Sequence, residues 1–305
     1  MPQIDSRLGR TVSTGATRRA VLIGATAWLG GCALDPDTDH AGADAPATTA
    51  FARPPRTAWV LSSGGPRCFV HVGVIKALDE LGLVPDVIVG ASGGALVGAL
   101  RAAGMAGRAL ETLALELQPW TLARVAWGHG GERFSGNAIA ALVRQHTGER
   151  LLERFRIAMV CVAQRLADGA AVGFNQGDVG LAVQAAVAIE GQFTPVRIRG
   201  QRYADADLLA PLPVRLARAL GATRVFAVDA SAHEESAPAG TERWRAGDLR
   251  KRALTEPDAR LADVLLHPRI GYYAGMSREY RERLIETGYR DTLAQAPALR
   301  ALHAG

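Results

Sequence analysis

Lysine is almost missing from this chain: Lys76 and Lys251 are its only two, so nearly all of the 35 basic residues are arginine. Genome composition is a sufficient reason for that skew. Cysteine is scarce as well, and three residues, Cys32, Cys68 and Cys161, are too few for a disulfide framework. No spacing of histidine and cysteine suggests a metal site, and no cofactor is implied. No internal repeat is evident. The apolar stretch near the N-terminus runs for only about a dozen residues, too short to span a bilayer. A strong excess of charge is lacking too. The formal net charge is +5, and removal of residues 1–31 takes away four arginines and one aspartate, leaving +2. A nearly balanced chain argues against nucleic acid as a partner, which calls for a clustered basic surface.

What the chain does have begins at residues 1–31, which read as an export signal. Thr17, Arg18 and Arg19 open the apolar stretch, which closes at Leu29-Gly30-Gly31-Cys32. The paired arginines resemble a twin-arginine signal, and the small residues before Cys32 resemble a lipoprotein cleavage box, whose cysteine is acylated and becomes the first mature residue. The alternatives are a plain secretory signal with an incidental cysteine, or a single uncleaved anchor. On the lipoprotein reading the protein is held to a bacterial membrane through Cys32, faces the periplasm, and leans towards the outer membrane because Ala33 rather than Asp follows the cysteine. Residues 32–56 are rich in Ala, Asp, Pro and Thr and read as a lipidated linker that tethers the domain.

The remainder is long enough for one α/β domain with a sizeable core, placed at 57–298. Strands are expected at 57–61, 86–89, 156–163, 171–174, 201–204 and 224–229, with helices filling most intervals. The charged, Pro/Gly-punctuated stretch 234–260 reads as a loop or lid. Tyr280, Leu284 and Ile285 have helical spacing and predict a C-terminal helix packed on the core.

The most informative segment is Val87-Ile88-Val89-Gly90-Ala91-Ser92-Gly93-Gly94-Ala95-Leu96. An apolar strand meets a small-residue turn around one serine and becomes helix. Gly90 and Gly94 make room where the backbone reverses. The amide after Ser92, that of Gly93, then sits at a helix N-terminus, where it can stabilise developing negative charge. The same pattern can arise for steric reasons alone in any α/β protein. A second unit precedes it, however: a strand ending at Leu61, the loop Ser62-Ser63-Gly64-Gly65-Pro66-Arg67, and a helix at 68–81. The two loops are separated by about one βαβ crossover, which brings them side by side at the carboxyl ends of neighbouring strands.

Leu61 to Leu78, the Ser92 elbow through Gly104, Phe174-Asn175-Gln176-Gly177, Ala185 to Val196, Tyr203 to Val214, the strand at 224–229 and Leu284 to Tyr289 together resemble the patatin-like phospholipase family over residues 57–290. That resemblance implies a three-layer α/β fold with a central, mostly parallel sheet and a nucleophile elbow. It implies a Ser-Asp dyad made of Ser92 and Asp205, an oxyanion hole of Gly64, Gly65, Arg67 and Gly93 amides, and hydrolysis of phospholipid or other acyl-lipid esters through an acyl-serine. Ser63 and Cys68 stand where the family's loop has glycines, and Ala206 and Asp207 where its aspartate element has them. Ala186 and Glu190 likewise replace a serine and a proline. These departures define an alternative reading: a catalytically weak or inactive lipoprotein that serves as an envelope lipid-binding or interaction scaffold.

Tyr203, Asp205 and Asp207 lie two apart and would share one face of an extended segment, so two carboxylates could be coupled; Asp207 could equally face solvent at a strand end. An α/β-hydrolase triad with His233 or His267 as base is the rival within hydrolases. His71 is expected to pack or cap. Cys68 and Cys161 could pair, or Cys161 could be a buried thiol.

Overall fold

The computed structural model describes residues 38–122, 124–125, 134–232 and 237–304. The export signal, Cys32 and His233 lie outside them. In chain order the elements are β1 (Thr57–Leu61), α1 (Phe69–Glu80), β2 (Val87–Ala91), α2 (Gly93–Ala102), α3 (Gly107–Glu116), β3 (Arg124–Val125), β4 (Phe134–Ser135) and α4 (Asn137–Thr147). There follow β5 (Ala158–Arg165), β6 (Ala170–Phe174), α5 (Val179–Ala186), β7 (Val196–Ile198), β8 (Gln201–Asp205), α6 (Val214–Ala219) and β9 (Arg224–Val228). The chain closes with α7 (Arg245–Ala259), β10 (Val264–Leu266), α8 (Arg278–Ala294) and α9 (Ala296–Ala304).

The main sheet has the order β10-β9-β1-β2-β5-β8-β7, with β6 also on β5. From β10 to β5 every pairing is parallel, while β6, β7 and β8 add antiparallel partners. β1, β2 and most of β9 are apolar on both sides because both faces are covered. Trp59, Leu61, Ile88, Met159 and Phe226 pack towards α1, α2, α5 and α8. Ala58, Val60, Val87, Val89 and Val225 pack the other way, against α6 and the end of α7. The result is a three-layer α/β fold with a mostly parallel central sheet, as the resemblance implies.

The expected strand at 57–61 forms with those bounds, and the other five differ from the observed ones by one or two residues at their ends. The C-terminal helix forms as α8 and packs closely on α1, because a Cβ at Gly73 would lie 1.8 Å from the Ile285 carbonyl oxygen and one at Gly288 would lie 2.2 Å from that of Val70. The domain continues past residue 298 through α9, where His303 Nε2 accepts a hydrogen bond from Trp59 Nε1 at 3.2 Å.

Two expectations fail. The described part of segment 234–260 is no open loop: most of residues 237–260 form α7, with Thr255 and Asp258 buried and the Asp258 carboxylate accepting from the Arg215 amide at 3.0 Å. Residues 38–56 are no free linker either. Asp39 accepts from the Gly200 amide, Thr48 Oγ1 donates to the Gly173 carbonyl at 2.7 Å, the Asn175 side chain brackets Thr49, and Ala45 is buried. Backbone pairing at His40 and Ala47 and these long-range side-chain bonds hold the segment, and composition reveals neither.

Candidate active site

Register brings the candidate residues to one edge of the sheet. Leu61 pairs with Gly90 on β2 and with Val228 on β9, so the loops after β1, β2 and β9 leave side by side. Ala91 pairs with Val162 on β5, and the next β5 residue, Ala163, pairs with Asp205 on β8. Ser92 and Asp205 therefore flank β5 in the same row, roughly two interstrand spacings or about 10 Å apart at the backbone. Their side chains can meet across it. The Asp205 amide, bonded to the Ala188 carbonyl at 2.9 Å, fixes the end of β8.

Ser92 occupies the turn from β2 into α2 with φ 51° and ψ −126°. Among the described non-glycine residues it shares positive φ only with Arg199. Such a conformation persists only where the surroundings impose it. The glycines around it explain how: a Cβ at Gly90 would meet the Gly94 carbonyl oxygen at 2.5 Å, and one at Gly94 would meet that of Leu61 at 2.2 Å. The elbow is thus pressed against the end of β1.

The Gly-rich loop closes as a single 3-10 turn, Gly65–Cys68, with Gly65 at φ 51°. The Arg67 amide donates to the Gly64 carbonyl at 3.0 Å and that of Ser63 to Pro211 at 2.8 Å. This removes Arg67 from the expected oxyanion donors, since a turn hydrogen bond already occupies its N–H. Among the described residues, the amides of Gly64, Gly65 and Gly93 donate to no turn or loop carbonyl. Cys68 takes up space that the missing Gly93 side chain leaves: a Cβ there would lie 2.4 Å from Cys68 Cβ. The two residues fit as a pair.

Asp205 is buried, and burial is the main reason its carboxyl is pushed up to about 7; the Ser92 hydroxyl pulls it down, the Asp207 charge raises it, and the Asp207 amide and Lys251 lower it. Oδ1 accepts from the Asp207 amide at 2.9 Å, and Oδ2 is buried. Asp207 does not share a strand face with Asp205, because β8 ends at Asp205 and the chain turns. Its carboxylate is held by Lys251 Nζ at 2.5 Å. Against burial, which raises it, Lys251, the Ser63 hydroxyl and Arg67 leave the Asp207 carboxyl below its ordinary value. Lys251 is the site-region residue that sequence reasoning missed.

The remaining candidates fall elsewhere. His71 is fully buried on α1, its Nε2 facing the Ser62 carbonyl at 2.9 Å, and burial lowers its pKa to about 4. It is neutral and packs the end of β1, as expected. His267 Nε2 is turned to the Ser231 carbonyl at 3.4 Å. Cys68 and Cys161 are free thiols and form no disulfide. Burial pushes Cys68 up to about 12 and raises Cys161 as well. Among the described residues no group of three His, Cys, Asp or Glu side chains is placed to hold a metal ion.

Ser92 and the loop open into a cavity of about 370 Å³. Its wall is almost wholly apolar, including Phe69, Val72, Leu96, Leu100, Leu113 and Phe193. With a polar rim at one end and hydrocarbon elsewhere, it suits a ligand that is an ester at its head and a chain behind.

An NTE family protein of Mycobacterium tuberculosis is 32% identical over 197 residues, which are 62% of this chain and 54% of that protein. A lysophospholipase of Emericella nidulans is 28% identical over 186 residues, 59% of this chain and 12% of that one. The chain thus spans about half the length of the first of these relatives. The crystal structure of VipD from Legionella pneumophila aligns over 83% of this chain and 68% of that one, at a TM-score of 0.48 and 14% identity. Residues 59–218, just over half of the chain, match the family model described as patatin-like phospholipase, and the chain belongs to that family.

Proposed function

We propose that this protein hydrolyses lipid acyl esters through a Ser92 acyl-enzyme with Asp205 as the general base. One observation carries the reading: a serine on a strained elbow interacts with a buried carboxylate at the head of an apolar cavity. The family match and relatives named lysophospholipases support a lipid ester as substrate.

Ionised Asp205 takes the proton of Ser92 Oγ as that oxygen attacks the ester carbonyl. The tetrahedral oxyanion is met by the amides of Gly64, Gly65 and Gly93, the last at the N-terminus of α2. Asp205 then returns the proton to the departing alcohol. Water attacks the acyl-serine with Asp205 again accepting a proton, and the fatty acid leaves. A base with a pKa near 7 is matched to neutral pH, where both its protonation states are populated. The acyl chain lies in the cavity, each buried CH₂ contributing about 0.8 kcal/mol to binding.

The Arg67 turn and the Cys68 side chain favour, as a second reading, a lipid-binding scaffold with little turnover, since each missing oxyanion donor costs about 10²–10³ in rate. Fatty-acid release from lysophosphatidylcholine separates the two. Release by wild type that Ser92→Ala and Asp205→Asn both abolish supports hydrolysis; lipid binding without release supports the scaffold.

The twin arginines and the box before Cys32 support export, acylation at Cys32 and attachment to the envelope membrane facing the periplasm, with outer-membrane sorting. Incorporation of alkynyl palmitate into the full chain in bacteria, lost in Cys32→Ser, is the expected result; incorporation that persists in Cys32→Ser refutes it.

A further inference from the structure

Helix α7 reaches into the site by one side chain. Lys251 Nζ sits 2.5 Å from Asp207 Oδ1, and the Asp207 amide sits 2.9 Å from Asp205 Oδ1. A chain of three residues, Lys251, Asp207 and Asp205, therefore runs from α7 to the carboxyl whose titration the Ser92 hydroxyl influences. The helix carrying Lys251 is fastened on both sides of it: Asp248 accepts from the Tyr272 hydroxyl at 2.5 Å, and Asp258 accepts from the Arg215 amide at 3.0 Å. The two side chains are only 23% and 32% exposed, so solvent screens the pair incompletely. The charged and polar groups bearing on Asp205 are Ser92, Asp207 and Lys251, and those on Asp207 are Lys251, Ser63 and Arg67. Arg67 is itself engaged by the Tyr272 carbonyl.

An acidic residue next to a general base is harmful if left bare. A second negative charge beside Asp205 would hold a proton on it and remove the base. A cation on the far side of Asp207 offsets that charge without touching the base. Lysine supplies a compact point charge on a flexible stem, where a guanidinium would present a broad planar fork. In a chain with two lysines in all, one stands here.

We propose that Lys251 is a positioning residue for the hydrolysis, neutralising Asp207 so that Asp205 is free to act as base for Ser92. This rests on the Ser92 and Asp205 reading given above, and it assigns to α7 control over the pH range in which the site works. The sign of each perturbation follows. Lys251→Met leaves Asp207 uncompensated, which strengthens proton binding at Asp205 and moves the acidic limb of activity to higher pH. Asp207→Asn removes the negative charge and moves the limb to lower pH. Each shift is expected to be about one pH unit, the lower end of the effect of a neighbouring charge. The double variant lies between the two single ones, and Lys251→Arg, which keeps the charge, keeps the limb of the wild type.

The test is the pH dependence of Ser92 labelling by a fluorophosphonate in the full chain, beside a carboxyl ¹³C NMR titration of protein labelled at aspartate. The Asp205 resonance is assigned by its loss in Asp205→Asn, and it titrates whether or not the protein turns over substrate. Opposite displacements of the Asp205 titration in Lys251→Met and Asp207→Asn are the expected result. Displacements in one direction, or none, overturn the inference, because a merely structural ion pair would lower the rate or the melting temperature and leave the midpoint in place. A wild type that titrates as expected and fails to label refutes the Ser92 reading instead.

Discussion

Replacing Ser92 by glycine should make the fold more stable than replacing it by alanine. Ser92 sits at φ 51°, ψ −126°, next to the first central position of a type II′ turn at about +60°, −120°, a place that glycine dominates. Holding an L-residue there costs about 1–3 kcal/mol. Both substitutions remove the hydroxyl and its interaction with Asp205, so their difference isolates the backbone. Glycine returns the strain and loses about 0.4–1 kcal/mol through the greater freedom of its unfolded chain. A net advantage of about 0.5–2 kcal/mol for Ser92→Gly remains, which is a melting temperature a few degrees higher at about 2–4 °C per kcal/mol for a domain near this size. Urea denaturation of the two variants, with equal slopes, reads it directly. A Ser92→Gly protein no more stable than Ser92→Ala would refute the claim that the elbow stores strain.

Three further outcomes follow from the packing and charge of the site. Gly93→Ala should destabilise by about 1–3 kcal/mol, the usual cost of overpacking, because its Cβ meets Cys68 at 2.4 Å; Cys68→Gly in the same chain should recover most of that, and additive urea results would refute the contact. Gly73→Ala should fall at or beyond the upper end of the same range, since the atom it meets at 1.8 Å is the Ile285 carbonyl of another helix; an unchanged urea midpoint would contradict the close crossing of α1 and α8. Asp205→Asn should stabilise the fold at alkaline pH relative to wild type. The folded Asp205 pKa of about 7 lies above its unfolded value, so the folded state binds the extra proton between about pH 4 and 7 and stability falls as pH rises through that window. The variant's gain is therefore absent below the window and full above it, as melts across that range would show.

Much of this architecture was legible from local pattern. The runs at 57–61 and 86–89 read as strands, which form at 57–61 and 87–91 buried on both faces, and the small residues around the second leave room for a reversal that any Cβ at Gly90 or Gly94 would block. Residues with weak apolar signals were missed. Helix α7 buries little and carries Gly247 and Pro257, so its sequence has the punctuation of a loop; strands β7 and β10 are three residues each and borrow their stability from neighbours. Residues 38–56 dock through backbone hydrogen bonds at His40 and Ala47 and through the Asp39, Thr48 and Asn175 side chains, whose partners are more than 120 positions away. At the site, the elbow around Ser92 is legible in its small residues and Asp205 enters only through the family resemblance, whereas the Arg67 amide depends on one turn's dihedrals. Lys251 announced itself only as a rare lysine in an arginine-rich chain, and its partner 44 positions earlier was set by tertiary packing.

The central claim, that Ser92 is a nucleophile activated by Asp205, is tested most directly by fluorophosphonate labelling of wild type, Ser92→Ala and Asp205→Asn, each read by intact mass. The account predicts one adduct on wild type, none on Ser92→Ala, and labelling slowed by about 10²–10⁴ in Asp205→Asn, the range of general-base catalysis. Folded wild type that takes no label, or Asp205→Asn that labels as fast as wild type, would contradict it.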